Sequence, residues 1–527
     1  MLDKIYIYLF MNTKRHQINP FFISCLVSVC FIPIFLSPIY FIPSWVLLLI
    51  FTIFFITNIP SERSFYIDQA ALTVTSLIFM ESIFFLLGYF DETSVNQQFQ
   101  FFYVWSGTLN MKIQLGVDGL SILFINLVTF LIPICLLAGW GNVPSRTKRE
   151  YYAYFLLLEI LLILAFSVSD LLLFYIFFEL SLIPMFLLIG VWGSRVRKVR
   201  ASYFLFIYTF WGSILMLFAI VFIHVFCSST SYPYLICYPL SKSSQITIWP
   251  ALFFAFASKI PMMPFHLWLP EAHVEASTPG SVILAGILLK LGTYGFIKFA
   301  LGICPSACFF FSPLIFTLGC TGIFYASFTA IRQTDLKRII AYTSVAHMNL
   351  VMIGIFCFNT EGIEGAIFQS LCHGFVSSAL FLLIGVLYDR HKTRLLTYFS
   401  GLVSTMPLFS LFFLFFTMSN IALPPTGSFF AEFLILFSVL KASPLICFFS
   451  ATGMIWGGAY SLWLLNRIIY GNVKTQFEFR STDLDLKEFI MFIPLVLCTC
   501  LVGVCPNLIL DIIGPSVQFL LTITKYN

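Results

Sequence analysis

ASKIPMMPFHLWLPEAHVEASTPGSVILAGILLKLGTYGFIKFA, residues 257–300, decides what kind of molecule this is. The part from Thr278 onward is apolar for longer than the ~20 residues a helix needs to cross a bilayer. Lys290 nevertheless stands in its middle. The part before it carries a second lysine, Lys259, followed at once by Pro261 and Pro264, which interrupt a helix. An ionisable group inside an apolar run, beside a helix break, reads as a membrane protein that holds charge within the bilayer on purpose.

The whole chain agrees. Of its 527 residues 60% are hydrophobic and 18% aromatic, with 65 Phe, while only 10% are charged. A soluble core cannot absorb that much apolar surface, because such cores stop growing near ~250–300 residues. Disorder is excluded, since disordered chains are poor in apolar residues. Membrane lipid is the expected surroundings, and the net charge of +5 gives no reason to expect nucleic acid. The fourteen cysteines sit mostly in apolar runs, and the close pairs Cys304/Cys308 and Cys498/Cys500 lack the spacing of zinc or iron–sulfur ligation. The polar, basic opening (Lys4, Lys14, Arg15) is followed by an apolar run without a small-residue cleavage site, and is read as mature protein.

Apolar segments long enough to span lie near 42–59, 70–90, 118–141, 151–169, 170–192, 201–227, 247–269, 278–303, 309–331, 336–358, 362–388, 402–446, 447–469 and 489–513. The predicted fold is therefore an all-α polytopic membrane protein with about fourteen transmembrane helices. Residues 21–38 supply either one more span or an interfacial helix. Within 402–446 the stretch Leu423-Pro424-Pro425-Thr426-Gly427 breaks the helix. No barrel-type alternation occurs. Assigning the loops alternately to two sides puts 18 of the 28 basic residues on one side, against Lys112, Lys242, Lys441 and Lys525 on the other. That bias is the positive-inside signature. Lys259, Lys290 and Lys298 remain within spans.

Glu81, Glu159, Glu179 and Glu432 are likewise embedded among apolar neighbours. A charge near a helix centre costs ~2.5–3.5 kcal/mol on insertion scales, so six would cost about 15–20 kcal/mol unless paired, neutralised or hydrated. Structural ion pairing between helices is the plain explanation. A proton relay is the functional one, because desolvation and neighbouring charges bring the charged and neutral forms of such groups close in energy. His224, His347 and His373 lie within spans, and His266 and His273 flank the break after Lys259. The offsets from Lys259 to Glu432 (173 residues) and from Glu179 to His347 (168) hint at two copies of a five-helix unit. No G-x-G-x-x-G, Walker loop or cysteine cluster occurs, so nothing here would bind NADH, flavin, ATP or an iron–sulfur cluster.

The stretches DLLLFYIFFELSLIPMFLLIGVWGSR (170–195), SKIPMMPFHLWLPEAHVEASTPGSVILAGILLKLGTYGFIKF (258–299) and RQTDLKRIIAYTSVAHMNLVMIG (332–354), with GLVSTMPLFS, AEFLILF and GAYSLWLLNRIIYG, closely resemble the antiporter-like subunit 4 family of respiratory complex I, the proton-pumping NADH:ubiquinone oxidoreductase. The likeness runs from about residue 100 to 510 and is closest to mitochondrial forms. It implies fourteen helices in two inverted five-helix repeats with broken helices seven and twelve, in a multi-pass subunit of the mitochondrial inner membrane. It also implies neighbouring antiporter-like and other membrane-arm subunits as partners. No redox cofactor or metal is implied in this chain, since NADH, FMN, iron–sulfur clusters and ubiquinone belong to other subunits. Matched residue by residue, the likeness gives Glu179 a pairing with Lys259, makes Lys290 the central lysine and puts Glu432 on the exit side. Glu159, His266, His273, His347 and His373 match further family positions. Glu81 has no counterpart and reads as structural. Ser277-Thr278-Pro279-Gly280 stands where the family has Pro-Thr-Ala-Gly, and Pro425 where it has glycine, so a helix start and a helix break differ locally.

The expected organisation is an N-terminal segment with the first helices (1–117), an antiporter-like domain (118–510) and a C-terminal tail (511–527). Two rival functions are a subunit of a sodium/proton antiporter and a purely structural membrane subunit.

Overall fold

The computed structural model describes residues 41–60, 63–106, 111–474 and 482–526. Residues 21–38, the open question of an extra span, lie outside them, as do Lys4, Lys14 and Arg15. The described chain runs α1 Phe41–Asn58, α2 Ser64–Gly88, the hairpin β1 Gln98–Ser106 and β2 Met111–Val117, then α3 Gly119–Gly139, α4 Lys148–Ser167, α5 Leu171–Trp192 and α6 Lys198–Cys227. The seventh helix is broken into α7a Lys242–Lys259 and α7b Trp268–Glu275, and is followed by α8 Thr278–Ile303, α9 Pro305–Arg332, α10 Leu336–Ile355 and α11 Thr360–His391. The twelfth is broken into α12a Pro407–Asn420 and α12b Gly427–Ala442, after which come α13 Pro444–Ile468, α14 Leu486–Val504 and α15 Asn507–Tyr526. Thirteen of these helices are long and apolar enough to cross a membrane.

The loops themselves report the topology. Arg195 meets Asp335 at 3.2 Å, the Arg394 guanidinium bonds Ser194 and the Val274 carbonyl, and Leu336 N donates to Arg394 O. The connections after α5, α7b, α9 and α11 thus share one end of the bundle, the basic one. At the other end Ser169 N donates to Gln114 O, Tyr232 N to Ser169 O, and Lys298 meets Asp118 at 2.7 Å. The alternation assumed from charge counting holds.

Several sequence boundaries need correction. The span expected at 489–513 divides at Cys505-Pro506, where proline cannot continue α14. The expected tail is instead helix α15. Its Ile512 and Ser516 lie against Gly119, and its Phe519 and Leu520 line a cavity with Asp118 and Tyr232. Those partners all stand at the less basic end of the bundle, so α15 lies across that end and does not cross. The β1–β2 hairpin was not expected in an all-α chain; its antiparallel ladder ends beside Val168. Pro279 proves compatible with its new place, occupying the first turn of α8, where a missing N–H costs nothing. Helix twelve breaks across Pro424–Pro425, a cis bond, and resumes at Gly427.

Helix α8 is buried along its whole length. It reaches that position through close approach: a Cβ on Gly292 would sit 2.5 Å from Ile260. Two π turns, Leu284–Leu288 and Phe296–Ala300, lie on either side of Lys290. Gly503 serves a similar purpose where α14 crosses the second break, since a Cβ there would lie 1.9 Å from Pro425 O. Gly503→Ala is expected to cost about 1–3 kcal/mol by overpacking, read as a lower midpoint of thermal unfolding in detergent. An unchanged midpoint would refute the close-packing account.

Candidate functional site

Lys290 is fully buried on α8. Its Nζ donates to the Ala285 carbonyl of its own π turn at 2.6 Å and lies 2.8 Å from His373 Nδ1 on α11. A π turn shifts the hydrogen-bond register of a helix by one residue, and here a carbonyl five residues back serves the ammonium. With Lys290 as an ammonium, which only donates, His373 Nδ1 is the acceptor of this contact. The His373 ring lies 5.9 Å from that of His347 on α10. His347 Nδ1 is 3.1 Å from Glu432 Oε1, and Gln369 Nε2 contacts both, at 3.3 and 3.1 Å. Glu432 follows the break in helix twelve by one turn and lines a cavity of about 30 Å3 with His347, Asn420 and Tyr460. That is room for about one water molecule.

Lys259 ends α7a at the other break. Its Nζ donates to Phe178 O at 2.9 Å, lies 3.5 Å from Ser181 Oγ and stands 3.8 Å above the Phe178 ring. The expected direct pairing with Glu179 is absent among the described residues: no ion pair joins them, Glu179 is held by Ser213, and its Oε1 has no hydrogen-bond partner. The physical reason is the turn at Ser181 in α5, which offers Lys259 the Phe178 carbonyl and the Ser181 hydroxyl directly, while the Glu179 carboxylate is held by Ser213. Ile260, the neighbour of Lys259, packs on Gly292 and thereby brings the two lysine regions together.

The remaining expected positions are dispersed. Glu159 is completely buried, and neither of its carboxylate oxygens has a hydrogen-bond partner among the described residues. His273 on α7b stacks on Phe381 at 4.6 Å, and His266 in the break meets the Tyr325 ring edge at 5.1 Å. Neither imidazole has a hydrogen-bond partner among the described residues. Glu81 accepts from Trp45 Nε1 at 2.9 Å, in keeping with its structural reading.

Three groups escaped the sequence reading. Lys337, counted as a topological label, is buried, and its Nζ donates to Ala276 O at 2.8 Å and lies 2.9 Å from Ser281 Oγ. Gln369 is neutral and therefore invisible to a search for charge. Lys148, also counted as a label, is buried in an ion pair with Asp68. No group of three or more His, Cys, Asp or Glu suited to a metal occurs among the described residues.

Known proteins with this architecture can now be set beside it. The family described as NADH:quinone oxidoreductase/Mrp antiporter, transmembrane, matches residues 168–455. A Marchantia polymorpha protein, NADH-ubiquinone oxidoreductase chain 4, is 48% identical over 471 residues, covering 89% of this chain and 94% of its own. A chain of respiratory complex I from Thermus thermophilus with bound NADH superposes with a TM-score of 0.81 at 24% identity, over 95% of this chain and 99% of that one. A chain of the Mrp complex from Dietzia sp. DQ12-45-1b gives a TM-score of 0.83 at 18% identity, over 93% and 98%. At such identities the two structures speak for the fold.

Proposed function

The chain belongs to the NADH:quinone oxidoreductase/Mrp antiporter family, and from that premise we propose that Lys290, His373, His347 and Glu432 carry protons through it under the control of Glu179 and Lys259. It is a membrane-arm subunit of NADH:ubiquinone oxidoreductase in the mitochondrial inner membrane, beside other antiporter-like subunits. Electron transfer elsewhere in the enzyme drives it; we assign NADH, FMN, iron–sulfur clusters and ubiquinone to other subunits. The observation that supports the path is the run of contacts Lys290–His373–His347–Glu432 across α8, α11, α10 and α12b. Likeness to the Mrp chain is one of fold, so sodium/proton antiport stays the weaker reading.

In the proposed cycle the Lys290 ammonium gives a proton to His373 Nδ1, leaving a neutral amine and an imidazolium. His373 passes a proton on through its other nitrogen toward His347, and Glu432 receives it beside the break in helix twelve. Gln369 orients the last two groups and carries no proton. Lys259 governs the first step. With Glu179 against it, the two charges cancel as seen from Lys290; with Glu179 apart, the Lys259 charge repels the proton. Two unit charges about 10 Å apart repel by ~1.7 kcal/mol at an effective dielectric near 20, worth roughly a tenfold rate. The arrangement described above, with Glu179 on Ser213 and Lys290 on His373, matches the separated state.

Glu159, His266 and His273 are proposed as feeder groups on the basic side of this row. The test is Glu179→Gln in the intact enzyme. Proton translocation per electron is expected to fall, with roughly tenfold slower coupled turnover. Unchanged pumping in that variant would sink the scheme.

A further inference from the structure

On the less basic end of the bundle a cavity of about 330 Å3 opens between Gln97 just before the hairpin, Gln100 within it, Tyr232, and Phe519 of α15. That volume holds on the order of ten water molecules at ~30 Å3 each. Gln97 and Asp118 line it, and the buried atoms Gln97 Nε2 and Asp118 Oδ1 have no protein partner among the described residues. The cavity brings the outer aqueous phase up to the partly exposed Asp118 side chain, behind which Lys298 is buried. Lys298 lies eight residues beyond Lys290 on α8, a rise of about 12 Å. An open connection over that distance would let protons run back to Lys290.

We propose that Lys298, Asp118 and Tyr294 form a plug that stops protons on the outer side from returning to Lys290 along α8. This rests on Lys290 being the proton carrier. The hydrogen bonds all point the wrong way for conduction. Lys298 Nζ donates to Asp118 Oδ2 at 2.7 Å and to Tyr294 OH at 2.8 Å, and Tyr294 OH donates to the Phe166 carbonyl at 2.8 Å. A proton arriving from the cavity meets Asp118, then an ammonium that has no lone pair to accept it. Beyond it the phenol proton ends on a backbone carbonyl, which relays nothing. Water cannot bypass the phenol, because Phe124, Phe166, Phe174 and Phe299 surround it with ring centroids 5.2–6.4 Å away. Lys298 and Tyr294 are themselves buried. A fixed positive charge behind a dry constriction is a general means of excluding protons from a pore. Protons on Lys290 are thereby left only the lateral way, through His373.

The test uses the whole oxidoreductase in liposomes, without NADH, under an imposed potassium-diffusion potential, with passive proton influx read by a trapped pH dye. Lys298→Ser opens space for water while Asp118 stays hydrated by the cavity. Phe299→Ala breaches the aromatic collar without touching a charge. Native-gel migration certifies assembly of each variant. Either variant that assembles is expected to leak several-fold faster than wild type, and adding Lys290→Met is expected to return the leak to the wild-type level. Influx no faster than wild type overturns the plug, and so does a leak that survives Lys290→Met. Pumping by Lys290→Met alone during NADH oxidation is a separate measurement; if normal, it removes the carrier reading rather than the barrier.

Discussion

Replacing Lys290 by methionine is expected to abolish proton translocation through this subunit while the enzyme still assembles. Methionine fills nearly the same volume, and exchanging a buried charged group for an apolar one is often neutral or stabilising. What it removes is the one protonatable side chain that touches His373 from the α8 side. Protons per electron should drop by this subunit's share, and coupled turnover should fall by at least about 100-fold, ~2.7 kcal/mol on the barrier, if no bypass exists. Lys290→Arg makes the sharper experiment. A guanidinium keeps the charge and the donors but does not release a proton in a protein. A structural staple would tolerate arginine; a carrier would not. Wild-type pumping in Lys290→Arg would therefore show that Lys290 is a staple.

That prediction started from sequence, and it is instructive which parts of the site were legible there. Lys259, Lys290 and Glu432 stood out because a charge in an apolar run is costly enough to need a reason. The breaks stood out because proline cannot be hidden in a helix. Lys337 did not stand out, because it adjoins Arg338 at a helix start. One of that pair turns inward to the Ala276 carbonyl and the other outward to Glu271, a difference no linear pattern records. Gln369 carries no charge, and its importance comes only from lying between His347 and Glu432. The Glu179–Lys259 pairing expected from the family likeness is not a direct ion pair in this arrangement, although the two groups lie close enough to act on each other. Sequence placed both groups in the membrane, but the turn at Ser181 decides which atoms Lys259 meets. Helix α15 was read as a tail after a span ending at 513; only its contacts with the ends of other helices reveal a separate helix that lies flat.

Lys148 shows the same ambiguity with a larger energetic consequence. It was one of the basic labels of the loop before α4, yet its side chain is only 8% exposed and that of Asp68, its partner on α2, only 1%. Removing one member of a buried pair leaves an uncompensated charge and typically costs 3–5 kcal/mol, a large fraction of a domain's net stability. Lys148→Met is therefore expected to lose about 3–5 kcal/mol, seen as a sharply reduced yield of assembled oxidoreductase on native gels and a lower melting temperature. Asp68→Leu combined with Lys148→Met should recover most of the loss, because the second change removes the stranded carboxylate and substitutes apolar packing between α2 and α4. The comparison separates two meanings of a buried charge in this protein. Near Lys290 the charge must change during turnover, so neutralising it should leave assembly intact and stop pumping. Between Asp68 and Lys148 the charges only balance each other, so neutralising both should leave pumping intact. If the double variant assembles well but pumps no protons, the Asp68–Lys148 pair belongs to the proton path and the division drawn here is wrong.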